Sequence, residues 1–104
     1  FLFNHATRTL DLNIKPDNSK GASKIFVGAN RHYPDGFSVL IGDKSVLYYN
    51  PIKNVGLEIY KLGKEIDPTD FIWDSKNQKL IILKWPKTEG VLNIKIVPGI
   101  RNFN

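Results

Sequence analysis

The chain has 104 residues, with 15 Lys and Arg against 10 Asp and Glu, a formal charge of +5 and a pI near 9.5. That length leaves no room for two separately cored halves, and a composition of 41% hydrophobic and 24% charged residues excludes general disorder and a fibrous repeat. Cysteine is absent, which excludes disulfides, thiolate metal ligands and a cysteine nucleophile, so stability has to come from packing.

Apolar runs all fall short of the ~20 residues that cross a bilayer. The opening "FLFNHATRTL" lacks the basic start and long apolar segment of a signal peptide. A chain with no membrane span is expected. Without methionine, and opening on Phe1, it reads as a piece of a longer product. A positive balance can attract polyanions. Here, however, the lysines are scattered singly, from Lys15 and Lys24 to Lys84 and Lys95, which suits solvated strand faces and guarded sheet edges.

In chain order, "TLDLNI" alternates strictly, placing Leu10, Leu12 and Ile14 on one side of a half-buried strand. "KPDNSKGAS" is a loop, "KIFV" a short strand ended by Gly28, and "HYPDGF" carries Pro-Asp-Gly turn chemistry. Phe37, Val39 and Ile41 alternate with Ser38 and Leu40 before Gly42-Asp43 turns the chain into "SVLYY", which Asn50-Pro51 closes. "GLEIYKL", Gly56 to Leu62, is apolar on both faces and is expected at the centre of a sheet. "FIWD" and "KLIIL" flank a polar hairpin turn, and "VLNIKIV" turns Leu92, Ile94 and Ile96 one way until Pro98-Gly99 stops it. A helical stripe is missing from every window of about eleven residues. About eight short strands at this spacing predict an all-β fold, an antiparallel two-sheet β-sandwich of immunoglobulin-like kind.

One internal echo stands out. Shifted by seventy positions, "FLFNHATRTLDL" lies over "FIWDSKNQKLII", matching Phe1 to Phe71, Phe3 to Trp73, Asn4 to Asp74, Leu10 to Leu80 and Leu12 to Ile82. Both stretches read as aromatic strand, polar turn and aliphatic strand, a single device used twice and expected once on each sheet.

The side chains capable of chemistry mostly have structural readings. Asp70 and Asp74, four apart on a strand, would stand about 13 Å apart, beyond the ~5–9.5 Å of glycosidase carboxylate pairs, so turn and cap roles are expected for them, as for Asp67 before Pro68. The two histidines, His5 and His32, lack metal-ligand spacing. No Gly-x-Ser-x-Gly elbow or phosphate loop surrounds any serine. Neither a metal nor a cofactor is expected. Among the aromatics, Tyr48 and Tyr49 must face opposite ways, and Trp73, sharing a face with Phe71, is expected in the core. Trp85, between Lys84 and Pro86, and Tyr33, before Pro34, sit at loop edges and are the expected exposed rings. If the chain binds glycan, these two would stack on sugar while Arg31, His32 and Asp35 bond to hydroxyls.

The aromatic strand with "ATRTLDL" and the closing "WDSKNQKLIILKW…GVLNIKIVPG" resemble the small all-β domains that follow the catalytic barrel in glycoside hydrolases, including those of family 31. The central "IFVGANRHYPDGFSVLIGD" departs from that pattern. The resemblance implies a non-catalytic accessory module of a larger, secreted carbohydrate-active protein, extracellular or periplasmic. Its partners would be the neighbouring domain of the same polypeptide, which it braces, or polysaccharide. No catalytic residue carries over, because that family's carboxylates lie in the barrel. Two alternatives are a nucleic-acid-binding OB-like barrel, suggested by pI, length and tyrosines, and an immunoglobulin-like adhesion or spacer domain.

Overall fold

A computed structural model describes residues 2–4, 6–15, 21–42, 45–51, 57–61, 67–85 and 90–99. Within them nine strands run as β1 (Leu2–Asn4), β2 (Thr9–Ile14), β3 (Ser23–Phe26), β4 (Phe37–Ile41), β5 (Ser45–Tyr49), β6 (Leu57–Lys61), β7 (Phe71–Asp74), β8 (Lys79–Ile82) and β9 (Leu92–Pro98). One helical turn, α1 (Ala29–His32), and a 3-10 turn, Pro68–Asp70, complete the set. The strands divide into a six-stranded sheet, ordered β1-β2-β9-β4-β5-β6, and a three-stranded sheet, ordered β3-β8-β7, with every pairing antiparallel. The chain is therefore an all-β sandwich of two sheets, which among the described residues do not close into a barrel.

Period-two alternation builds the core. On the wide sheet, register aligns Leu10, Ile96, Val39 and Leu47 in one row across four strands, and Leu12, Ile94 and Ile41 in the next. The narrow sheet answers with rows Ile25, Leu80, Trp73 and Ser23, Ile82, Phe71. Val39, Leu47, Leu80, Ile82, Ile94 and Ile96 are fully buried, each contributing about 1.5–3 kcal/mol of transfer free energy. Aromatic rings tie the two layers together: Trp73 meets Phe37 edge-on at 4.9 Å and Tyr49 at 5.4 Å, while Phe37 and Tyr49 lie 5.3 Å apart. Trp73 is thus a core residue, although its buried Nε1 has no hydrogen-bond partner. Tyr48 and Tyr49 do face opposite ways, Tyr49 into this cluster and Tyr48 beside Ser38 on the other side.

The seventy-residue echo is a structural one. In the β1–β2 hairpin, Asn4 pairs with Thr9, and the Asn4 Oδ1 accepts from the Ala6 and Thr7 amides at 2.9 and 3.2 Å. In the β7–β8 hairpin, Asp74 pairs with Lys79, and the Asp74 Oδ1 accepts from the Lys76 and Asn77 amides at 3.1 and 3.2 Å. Each turn then closes on a non-glycine residue in the left-handed region, Arg8 at φ 54° and Gln78 at φ 56°. Asn and Asp favour such turns because the side-chain oxygen satisfies backbone donors that the ladder leaves open. One copy sits in each sheet.

Two expectations change. The Leu57–Lys61 strand lies at an edge of the wide sheet, pairing among the described residues only with β5, through a bulge at Val46/Leu47. Leu57 packs against the core from this edge position; Gly56, Leu62 and the side chains of Ile59, Tyr60 and Lys61 lie outside the described residues. The stretch after Gly28 forms α1 before the turn, being too short for a helical stripe to register.

Gly36 sits at the tightest point of the turn entering β4. Its φ is +101°, its N–H donates to the Tyr33 carbonyl at 3.0 Å, and a Cβ there would lie 2.5 Å from the Tyr49 carbonyl oxygen and 2.6 Å from the Tyr48 hydroxyl. Gly42, at φ +59°, has open space where its Cβ would go. Replacing Gly36 with Ala is expected to cost about 3 kcal/mol or more, from backbone strain plus overpacking, and Gly42→Ala only about 1–2 kcal/mol. Urea unfolding of the two variants beside the parent chain would measure the difference, and equal losses would contradict the close-approach account.

Candidate functional site

Two of the carboxylates are occupied by turns. Asp74 lies below the ordinary carboxylate value of 3.8, chiefly because the Asn77 side-chain amide donates to it, at 2.8 Å, and then because the Asn77 and Lys76 backbone amides do. Asp67 is likewise lowered by the Thr69 hydroxyl at 2.6 Å and the Thr69 amide at 2.9 Å. Asp70 ends the 3-10 turn instead of standing on a strand, and its carbonyl accepts from the Leu83 amide. Among the described residues no group of three or more His, Asp or Glu side chains is placed to hold a metal ion; His5 lies outside them.

The five glycan-contact candidates separate into two places. Tyr33 and Trp85, expected to be exposed, are each only 3% exposed. The Trp85 indole N–H donates to the Ser23 hydroxyl at 3.0 Å, which fixes the ring beside the start of β3. The Tyr33 hydroxyl donates to the Arg8 carbonyl at 2.6 Å, with Ile96 O at 3.4 Å, and its ring packs 5.7 Å from Phe37. Proline neighbours marked these residues as loop positions, but long-range hydrogen bonds pull both rings inward. Arg31 is exposed on α1, His32 is half-buried with its ring 6.2 Å from that of Tyr33, and Asp35 is exposed while its carbonyl accepts from the Tyr48 hydroxyl at 3.2 Å. Tyr33, Arg31, His32 and Asp35 therefore cluster beyond the end of β3, and Trp85 lies at its start, a strand length of about 10 Å away.

The cluster is held in place by the two echo turns. The Gln78 carbonyl accepts from the Val27 amide at 2.8 Å, and the Gln78 Oε1 accepts from the Asn30 amide at 3.0 Å. Across the gap, Arg8 accepts from Tyr33 through its carbonyl and donates from Nη1 to the His32 carbonyl at 3.4 Å. The segment from Val27 to Tyr33 is thus suspended between the sheets, one left-handed turn residue gripping it from each.

Beside it opens a cavity of about 450 Å³, of small-ligand size. Leu10, Leu12 and Ile14 of β2 form one wall, and Lys24 and Ile25 of β3 the other, with His32 and Tyr33 at the α1 end. Two of the five candidates reach it. The alternation in "TLDLNI" marks Leu10, Leu12 and Ile14 as inward-facing. Leu10 and Leu12 are buried in the core and Ile14 is half-buried; the gap beside them reflects the narrowness of the opposite sheet among the described residues, which no local pattern encodes. Chemically this groove offers apolar contact and cationic or neutral donors at its rim; among the described residues its lining holds no carboxylate.

Two predictions follow the geometry of these groups. Burial pushes the Tyr33 phenol from 10.0 up to about 12, so its stabilisation is complete below pH 10 and is lost as pH rises through that window. Tyr33→Phe should cost about 1 kcal/mol at neutral pH and remove that alkaline component from a stability-versus-pH series. Asp74, being lowered, supports its turn above the ordinary carboxylate value and releases it as pH falls through the lowered one. Amide proton shifts of Lys76 and Asn77 should titrate there, those of Ala6 and Thr7 beside the uncharged Asn4 should not, and Asp74→Asn should abolish the titration.

Against known proteins, no family model, no curated protein and no solved structure matches the chain.

Proposed function

We propose that the chain is a non-catalytic accessory β-sandwich module of a larger carbohydrate-active protein, and that it works by bracing the neighbouring domain of the same polypeptide. The carbohydrate-active setting rests on the resemblance of the two chain ends to the domains that follow glycoside hydrolase barrels. The bracing role draws on a single feature, the outer face of the three-stranded sheet. Register there aligns Lys24, Ile81 and Ile72 in one row and Phe26, Lys79 and Asp74 in the next. Phe26 is 68% exposed, Ile72 43%, and Leu83 beside them 48%. Apolar side chains grouped on one strand face, with charges between them, suit an inter-domain contact of moderate polarity.

Polysaccharide contact is the weaker branch. Sugar stacking needs an open aromatic face; among the described residues the rings of Tyr33, Tyr48, Tyr49, Trp73 and Trp85 are buried, and Phe26, which lacks a polar edge, is the exposed ring. Soluble oligosaccharides at millimolar concentration are expected to leave tryptophan fluorescence unchanged; a saturable change would shift the reading to glycan binding. For bracing, Phe26→Ser and Ile72→Ser should change the stability of the isolated module by only about 0.5 kcal/mol, as exposed positions do. In the parent polypeptide they should lower the melting temperature of the neighbouring domain. An unchanged melting temperature there, or a parent gene with no carbohydrate-active domain, would overturn the proposal.

A further inference from the structure

The three-stranded sheet is half as wide as the sheet it covers, and the shortfall falls on an identifiable side. β3 pairs with β8 from Ser23 to Phe26, and among the described residues no strand pairs with its other edge. That free edge borders the groove whose opposite wall is Leu10, Leu12 and Ile14 of β2, and beyond β2 the wide sheet continues into β1. An unpaired edge presents backbone N–H and C=O groups at strand spacing, a template for one more strand. Here the template stands next to an apolar trough instead of open water.

We propose that this edge and groove together form a strand-addition site. An extended peptide pairs with the free edge of β3, sends alternate aliphatic side chains onto Leu10, Leu12 and Ile14, and carries carboxylates toward Lys24. Main-chain pairing supplies affinity in this mode of recognition, and the pockets for alternate side chains supply selectivity. Charge selects the partner's chemistry. Among the described residues the ionisable side chains lining the groove are Lys24, His32 and Tyr33, none of them a carboxylate, and the chain carries +5 overall, so an acidic strand is attracted and a basic one repelled. A second copy of the chain fits less well. Two β3 edges meeting side by side would bring the β1–β2 overhang of each sandwich against that of the other. The inference rests on the sheet edge and the groove alone and is independent of the carbohydrate-active reading.

The test uses the whole 104-residue chain, isotope-labelled, with an acetylated and amidated heptapeptide of alternating Glu and Val as probe. The expected result is saturable amide shifts at Ser23–Phe26 and Leu10–Ile14, with a dissociation constant of about 0.1–1 mM, and slowed hydrogen exchange along β3. The matching peptide of alternating Lys and Val should bind about five-fold or more weakly. Lys24→Glu, at an exposed position, should reverse that preference. The proposal is overturned by an absence of saturable shifts on β3 at about 2 mM probe, by equal binding of the acidic and basic peptides, or by sedimentation showing that the chain alone dimerises through β3.

Discussion

The crossing from the narrow sheet to the wide one is the constraint on which the remaining structure depends. After Phe26 the chain must leave β3, pass over the end of the sandwich and enter β4 at the centre of the opposite layer. A crossing of this kind carries backbone donors and acceptors past a buried interior, where each needs a partner. Gln78 meets two of them from one sheet, and Arg8 meets the His32 carbonyl and the Tyr33 hydroxyl from the other. Both gripping residues are the left-handed closers of equivalent hairpin turns. Backbone strain of about 1–2 kcal/mol at each non-glycine residue in that region is what aims these carbonyls and side chains at the crossing segment. Gly36 completes the passage, because only a residue without Cβ lets the chain pass against the Tyr49 carbonyl and turn into β4.

The aromatic cluster depends on that crossing in turn. Tyr33 enters the core at the crossing's end and meets Phe37, which opens β4 and meets Tyr49 and Trp73. A continuous ring contact thus runs from the suspended segment to the far strand of the narrow sheet. Geometry of the edge-on kind seen between Phe37 and Trp73 adds about 0.5–1.5 kcal/mol beyond area burial. The unpartnered Trp73 Nε1 sets against this a desolvation cost of about 1–3 kcal/mol. Area burial of the indole itself, about 4 kcal/mol or more, turns the balance toward packing at this ring contact between the two sheets.

What could be read along the chain was whatever is fixed by near neighbours. Alternation placed Leu10, Leu12, Phe37, Val39, Ile41, Leu92, Ile94 and Ile96 inward because strand geometry sets side-chain direction residue by residue. The hairpin roles of Asn4 and Asp74 were legible for the same reason, since their oxygens bond amides two and three residues on. Properties of the assembled sheets were not. The position of Leu57–Lys61 at an edge depends on which strands arrive beside it. The burial of Trp85 depends on Ser23, 62 residues away, and that of Tyr33 on Arg8, 25 residues away. Of the candidate site, His32 and Tyr33 were identifiable as residues, but the groove they end on arises from unequal sheet widths, a quantity absent from any window of sequence.

That inequality leaves the narrow sheet with two unlike surfaces, and their physics points to different kinds of contact. Its outer face offers Phe26, Ile72 and Leu83 with their side chains already extended and solvated, so a rigid neighbour can dock there by area alone without any change in backbone pairing. Its β3 edge offers hydrogen-bonding groups beside a trough, where area and backbone pairing can be satisfied only together and only by an extended chain. A flat protein surface cannot reach the trough, and a free strand gains little on the outer face, where every backbone group of β8 is already flanked by β3 and β7. The two surfaces share β3 and meet at Lys24 and Phe26, which stand in the outer-face rows and also border the groove, so one contact uses the face of that strand and the other its edge.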